Sequence, residues 1–375
     1  MSAPIYLDYQ ATTPLAPEAE AAMLPWLGEK FGNPHSPHKM GREAAAAVEV
    51  ARGLVTTALG SRGGKLFFTS GATEAANWAL KGAAARLPEE RRRIVTLATE
   101  HACVLDTVEW LAGQGFDVDV LPVGPDGLVD MDLAAARIDD RTGLVAAMLV
   151  NNEIGAIQPV AELSNLAHER GALFFCDAVQ GFGRVPVPVD GCDMIALSAH
   201  KVHGPKGIGA LWVRDGVTLD PLLHGGGQEG GVRSGTLSPA HCAGFGAAAR
   251  LLNERGADDH DHVEALWRAA TVRLANWTLN GTTEARYHGN LNLRRDGVDA
   301  SRLISEVREV AFSAGSACAS GSGRPSHVLA ALGLDDKAAR SGIRLGFGRY
   351  TSEAELRTAL DLIEAAAARQ SSFAA

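Results

Sequence analysis

From about residue 40 the chain alternates between two hydrophobic rhythms. The stretch "GREAAAAVEVARGLVTTAL" spaces its apolar residues as a helix does, "KLFFTS" is a short continuous apolar run, and "TEAANWALKGAAARL" returns to helical spacing. Strand "RIVTLAT", helix "VLDTVEWLAGQG" and strand "DVDVLPV" continue the alternation. Strand "GLVAAMLVN", helix "VAELSNLAHERG" and strands "ALFFCDAV", "DMIALSAH" and "GALWVR" follow. Short apolar strands between amphipathic helices predict an α/β protein with a mostly parallel sheet covered on both faces. Ligands of such sheets lie beyond the carboxyl ends of the strands. After "RSGTLSPA" the pattern predicts a long helix to about "LANWTLNG". Then "HGNLNL", "ASRLISEV" and "AELRTALDLIEAAAA" predict a smaller α+β domain, with a frayed tail at "RQSSFAA".

Composition narrows the classes. A chain of 375 residues, 46% hydrophobic, can bury a substantial core and suits a large domain with a smaller companion. Its formal net charge of −9 argues against nucleic acid as a partner, because such binding replaces counterions with basic patches. Arg91, Arg92 and Arg93 form the single basic run and are expected at a solvated helix end. No apolar run approaches the roughly 18 residues that span a bilayer. "MSAPIYLDYQATTP" lacks the basic and apolar regions of an export signal, so neither a membrane nor secretion is expected. Cys103, Cys176, Cys192 and Cys242 lie in or beside apolar segments and are expected as buried small hydrophobes, not metal ligands. This usage fits a reducing cytoplasm. Cys318 differs. In "FSAGSACASGSG" it is surrounded by glycine, alanine and serine, a composition that predicts an exposed, mobile loop.

Several polar residues fall at predicted strand ends. Asp177 closes "ALFFCD" and is either a helix cap or the partner of a buried cation. Lys201 follows "DMIALSAH", beside His200, His203 and glycines; it is either a surface charge or a desolvated nucleophile or base. In "TSGATEAAN", Ala72 and Thr73 lie where free amides can hold a phosphate, unless Thr73 is simply a cap. There is no GxxxxGK[ST], and no dinucleotide GxGxxG in the first βα turn. "HGGGQ" resembles an esterase oxyanion hole, but no GxSxG accompanies it. One cofactor uses all three groups. Pyridoxal phosphate needs a lysine for its aldehyde, an acid opposite its ring nitrogen and a helix N-terminus for its phosphate.

The chain resembles the cysteine desulfurases of the iron–sulfur-assembly and nitrogen-fixation type, which are fold-type I enzymes of the class V aminotransferase-like group. The resemblance runs from "IYLDYQATTP" to "GIRLGFGRYTSEAE" through "EKFGNPHS", "FTSGATEAAN", "TEHACVLDT", "VNNEIGAIQP", "CDAVQ", "SAHKVHGPKGIGAL", "RSGTL" and "SAGSACASGS". It implies a large cofactor-binding domain over residues 14–256, built on a seven-stranded sheet, and a small domain of residues 1–13 and 257–375 that carries the cysteine loop. Lys201 would hold the aldehyde, Asp177 the ring nitrogen, and His101 would stack on the ring. Asn152 and Gln180 would contact the phenolic oxygen. Ala72, Thr73, Ser198 and His200 would hold the phosphate, joined by Thr236 of a second subunit of a homodimer. Arg344 would clamp the substrate carboxylate with Asn33 nearby, while Arg349 would brace the small domain.

The implied reaction converts L-cysteine to L-alanine, with Lys201 moving the Cα proton, His101 managing the thiol proton and Cys318 receiving sulfur as a persulfide. An iron–sulfur scaffold or another acceptor protein, such as a thiolation protein, would take it onward. An aminotransferase has no need of Cys318, and a non-catalytic scaffold has no need of Lys201; selenocysteine stays open as a second substrate. Two departures bear on the acceptor. Gly230 stands where relatives carry an arginine, and the chain stops soon after "LDLIEAAAARQSSFAA", so weaker scaffold docking or a different acceptor is expected.

Overall fold

The computed structural model describes residues 3–314 and 326–374. The N-terminal segment contributes β1 (Ile5–Tyr6), α1 (Pro17–Leu27) and α2 (Lys39–Leu59). One sheet is formed by β2 (Lys65–Thr69), β3 (Arg93–Leu97), β4 (Asp117–Leu121), β5 (Thr142–Met148), β6 (Leu173–Asp177), β7 (Met194–Ser198) and β8 (Gly209–Val213). Between these strands run α3 (Ala72–Ala84), α4 (Ala102–Gly113), α5 (Met131–Arg137) and α6 (Val160–Glu169).

The order across this seven-stranded sheet is β2-β8-β7-β6-β5-β3-β4. All neighbours from β7 to β4 pair in parallel, and β8 alone runs antiparallel, between β2 and β7. The carboxyl ends of β2, β3, β5, β6 and β7 therefore share one edge. Burial on both faces explains the continuous apolar runs, since every residue of β5 is buried. On one face Trp78, Leu80 and Val104 pack over Ile94, Leu144 and Phe175. On the other, Val48, Val55 and Leu163 pack with Phe68, Val95 and Phe174.

Helix α7 (Pro239–Arg273) starts at a Ser238 cap with proline in its first turn. At about 1.5 Å per residue its 35 residues reach roughly 52 Å. Gly244 and Gly246 let it lie close to its neighbours; a Cβ at these positions would sit 2.6 Å from Met23 and 2.7 Å from Ala51. Its second half joins another core, in which Val263, Leu266 and Ala270 meet Leu293, Leu345 and Leu360. The expected division between residues 256 and 257 falls within this helix.

The remaining elements are β9 (Thr278–Leu279), β10 (Asn290–Arg294), α8 (Ala300–Glu306), β11 (Val310–Ala311), β12 (Ser313–Ala314), α9 (His327–Ala331), α10 (Asp336–Arg340), β13 (Gly342–Gly346) and α11 (Glu353–Ala374). An antiparallel sheet of order β12-β13-β10-β9 forms, and β1 pairs with β11.

Two expectations are corrected. The C-terminal segment does not fray at Arg369, because α11 continues through Ala374; buried Gln370 accepts the amide of Asp299 and donates to Glu306. The arginine run is not a solvated helix end either. Arg91 donates to the carbonyl of Thr142, and Arg93 pairs with Asp117 and Asp139 at 2.9 and 3.1 Å.

Candidate active site

The shared carboxyl edge of the sheet gathers the chemistry. Beyond β2, helix α3 begins at Ala72 behind Gly71, and no side chain caps it among the described residues. The first-turn amides of Ala72 and Thr73 thus stay available to an anion, reinforced by the helix dipole. Gly209 makes this corner possible. A Cβ there would lie 2.5 Å from the carbonyl oxygen of Leu197 and 2.7 Å from the backbone of Gly71.

Beyond β3, His101 caps α4, its Nδ1 accepting the amide of Cys103 at 3.1 Å. That bond assigns the ring proton of the neutral imidazole to Nε2. Burial holds His101 below its ordinary pKa, opposed by the charge of Asp177 and assisted by Lys201 and His327. Asp177 ends β6 fully buried, and Oδ1 accepts the amide of Val179 at 2.9 Å. Burial raises its pKa, while that bond and the charges of His101 and Lys201 oppose the rise. An acid in this setting favours a cation opposite it. Lys201 lies beyond β7, its Nζ donating to the carbonyls of Gln10 and Ala11 at 2.5 and 2.7 Å. His200 Nδ1 lies 3.1 Å from Thr12 Oγ1, and burial pushes its pKa down to about 4.

One cavity of about 620 Å³ collects Ala72, Thr73, His101, Asn152, Asp177, Gln180, Ser198, His200, Lys201 and Arg344. Arg344 reaches it from β13, donating Nη2 to Asp8 Oδ1 at 2.8 Å and Nη1 to the carbonyl of Asn152 at 3.0 Å. Asn33 and Thr236 are not among the walls. Both are exposed in this single chain; Asn33 is turned to its own loop, its Oδ1 accepting the amide of His35 at 2.9 Å. Cys318 lies outside the described residues. Cys103 also lines the cavity, but burial raises its thiol pKa and keeps it protonated. Cys103, Cys176, Cys192 and Cys242 are all buried free thiols, as expected.

Sequence reasoning overlooked Gln10, Ala11, Thr12 and Lys206, which also form walls. Gln10 and Ala11 act on Lys201 through backbone carbonyls, which no side-chain pattern announces. Lys206 was visible within "HGPKG" beside the strand end. Arg349 binds Asp259 at 2.6 Å instead of facing this cavity.

Pyridoxal phosphate fits this donor set. A buried acid stands ready for a ring cation, a lysine for the aldehyde, and uncapped amides with His200 and Ser198 for the phosphate. Among the described residues no His, Cys, Asp and Glu cluster could hold a metal ion.

The aminotransferase class-V family model matches residues 5–358. Over 369 residues the chain is 45% identical to the cysteine desulfurase IscS of Rickettsia bellii, covering 96% of this chain and 90% of that one. A solved NifS-like protein matches with a TM-score of 0.91 and 34% identity over 96% of this chain and 98% of its own. SspA, solved in complex with cysteine, matches with a TM-score of 0.81 and 35% identity, over 93% of this chain and 100% of its own. The chain belongs to the class-V aminotransferase family. Within that family it belongs to the cysteine desulfurases, enzymes that work with pyridoxal phosphate.

Proposed function

We propose that this desulfurase takes the sulfur of L-cysteine onto Cys318 and releases L-alanine, using the walls of the cavity at the sheet edge. The observation that carries the reading is the convergence of Lys201, Asp177, His101, the α3 N-terminus and Arg344 on one space. Bound pyridoxal phosphate supplies an aldehyde that condenses with amines and a ring that withdraws electrons from the substrate Cα. Asp177 would keep the ring nitrogen protonated, and Asn152 and Gln180 would contact the phenolic oxygen. Ala72, Thr73, Ser198 and His200 would hold the phosphate. Arg344 binds the substrate carboxylate, a task suited to a forked guanidinium.

Lys201 Nζ would hold the cofactor's aldehyde and, once displaced by the substrate amine, would move the proton of the substrate Cα. His101, neutral by burial, exchanges a proton with the substrate thiol through Nε2. The thiolate of Cys318 attacks the substrate sulfur; an S–S bond forms, the C–S bond breaks, and the electron pair left on carbon is protonated to give alanine. L-cysteine and the Cys318 thiol thus yield L-alanine and a Cys318 persulfide, with atoms balanced.

Two copies form the working unit in this reading. Thr236, exposed in one chain, joins the phosphate site of the other, and exposed Leu24, Leu27 and Phe31 supply apolar surface for the contact. Residues 14–256 act as the large domain, and residues 1–13 with 257–375 as the small one. The separate cores on α7 support this division. The persulfide passes to an iron–sulfur scaffold or another acceptor protein in the cytoplasm. No helix among the described residues is long and apolar enough to cross a membrane.

Incubation with L-cysteine, followed by alanine assay and mass measurement of the Cys318 peptide, tests the reading. One added sulfur on that peptide and equimolar alanine are expected; alanine without the added sulfur overturns the role of Cys318.

A further inference from the structure

Three segments near the cavity meet at one guanidinium that is not itself among its walls. Arg184 lies in the turns beyond β6, partly buried. Its Nη2 donates to the carbonyl of Lys201 at 2.9 Å and reaches that of Tyr9 at 3.5 Å. Its Nη1 donates to Gln180 Oε1 and, at 3.4 Å, to the carbonyl of the same residue. The ring of Tyr287 stands 5.2 Å from the guanidinium carbon. Each of the bonded acceptors is neutral, so Arg184 organises carbonyl groups instead of neutralising an acid.

Gln180, by contrast, is a wall of the cavity and is buried. The oxygen of its amide can only accept and the nitrogen can only donate. Arg184 has nothing but N–H groups to offer, so Oε1 must lie on its side. The carbonyl of Gln10 can only accept, and it takes Nε2 at 2.9 Å. These two contacts agree on one orientation of the amide, and its ends cannot exchange without breaking both. Nε2 carries two N–H groups, and Gln10 uses one. The other has no acceptor among the described residues. Gln180 therefore presents a donor, not an acceptor. The carbonyl of Gln10 also receives Lys201 Nζ at 2.5 Å, so the amide and the lysine are placed by the same few groups.

We propose that Arg184 is a positioning residue that keeps the amide of Gln180 turned so that it offers an N–H to the phenolic oxygen of the cofactor. This rests on the reading of Gln180 as the neighbour of that oxygen. A donor there favours the ionised oxygen, whereas an amide oxygen turned the same way favours the oxygen that holds a proton. The two forms differ in conjugation and so absorb at different wavelengths, which makes the orientation of one amide visible. Without Arg184, Oε1 becomes a buried acceptor with no partner, and the single bond to Gln10 is left to oppose rotation of the amide.

The test uses purified holoenzyme as wild type and as Arg184→Met, Arg184→Lys and Gln180→Ala, with each Arg184 substitution also made in the Gln180→Ala background. The near-ultraviolet and visible absorbance of the bound cofactor is recorded at one pH without substrate. Cofactor affinity is measured by titrating each apoprotein with pyridoxal phosphate. Arg184→Met should move intensity from the visible to the near-ultraviolet band and weaken binding by about tenfold, the scale of one hydrogen bond to a charged group. Gln180→Ala should also change the spectrum, and adding Arg184→Met to it should change the spectrum little further, because residues that act as a unit are not additive. Arg184→Lys keeps the charge but donates from one nitrogen, so it should show part of the effect of Arg184→Met. Run in both backgrounds, it supplies the same comparison in a variant that keeps the cation, should Arg184→Met not fold. A wild-type spectrum in the Arg184 variants overturns the proposal. So does an equal spectral change with and without Gln180, which is what a merely structural arginine would give. A wild-type spectrum in Gln180→Ala overturns instead the reading of Gln180 on which the proposal rests.

Discussion

Arg349 grips Asp259 through both Nε and Nη2, at 2.9 and 2.6 Å, and so is committed to α7 while Arg344 faces the cavity. The two arginines of "RLGFGR" therefore separate into different kinds of variant. Arg344→Ala should raise KM for L-cysteine by about 10- to 100-fold, from loss of charge-assisted hydrogen bonds. Arg349→Ala should leave KM nearly unchanged and lower stability by about 3 kcal/mol, since Asp259 loses a largely buried partner. Steady-state kinetics and urea unfolding measure the pair; an inverted result reassigns the clamp.

Lys201→Ala should lose both the visible cofactor band and alanine release. Cys318→Ser should keep the band and its change on addition of L-cysteine, yet form no persulfide. Normal sulfide output from the serine variant without reductant would reject the nucleophile assignment.

Glu153 gives a pH signature with a definite sign. Burial raises its pKa from 4.5 to about 7, against the pull of Ser326 and Arg344. Between these values the folded protein keeps a proton that the unfolded chain has released. The stability due to this carboxyl is thus full below 4.5 and lost as pH rises through 7, by roughly 3 kcal/mol. His200 and His203, pushed down to about 4, act oppositely: their contribution is present above 6.5 and lost as pH falls through 4. Comparing Glu153→Gln with wild type at each pH cancels the histidines. Urea unfolding between about pH 5 and pH 8 should show the variant gaining on wild type as pH rises; a pH-independent difference contradicts the assignment.

Gly209→Ala adds a Cβ within 2.7 Å of Gly71 at the start of α3. Overpacking here should cost about 1–3 kcal/mol and weaken cofactor retention. Titration of the visible band with pyridoxal phosphate measures it. Wild-type affinity would mean that the α3 amides do not hold the phosphate.

Much of this was legible because a parallel sheet obliges its ligand residues to follow strands. Asp177, Lys201 and the Ala72–Thr73 turn sit directly after apolar runs, so pattern alone marked them as candidates while leaving a cap or a surface charge open for each. Asn33 and Thr236 follow no strand of the sheet, and one chain leaves both at its surface. Asp8 and Glu153 escaped notice for a different reason. Their partners lie far along the chain: strand register brings Ser313 and Arg344 to Asp8, and the start of α9 brings Ser326 to Glu153. Helices α1 and α5 went unseen because α1 starts at a proline and contains Pro25, and α5 spans only seven residues. The arginine run misled because charge density was taken for exposure, whereas Arg93 is covered by the aspartates it pairs with.

The long helix α7 has apolar anchorage at both ends and little in the middle, where Arg255, Asp258 and Asp261 face solvent. A strut of this kind makes two cores share one fate. Its central hydrogen bonds cannot open for long while both ends are clamped, and melting of either end removes an entire wall from the neighbouring core. The protein should therefore unfold as one cooperative unit, with central α7 amides exchanging with deuterium far more slowly than their exposure suggests. A break at Gly256 would be felt first as the appearance of two separate calorimetric transitions.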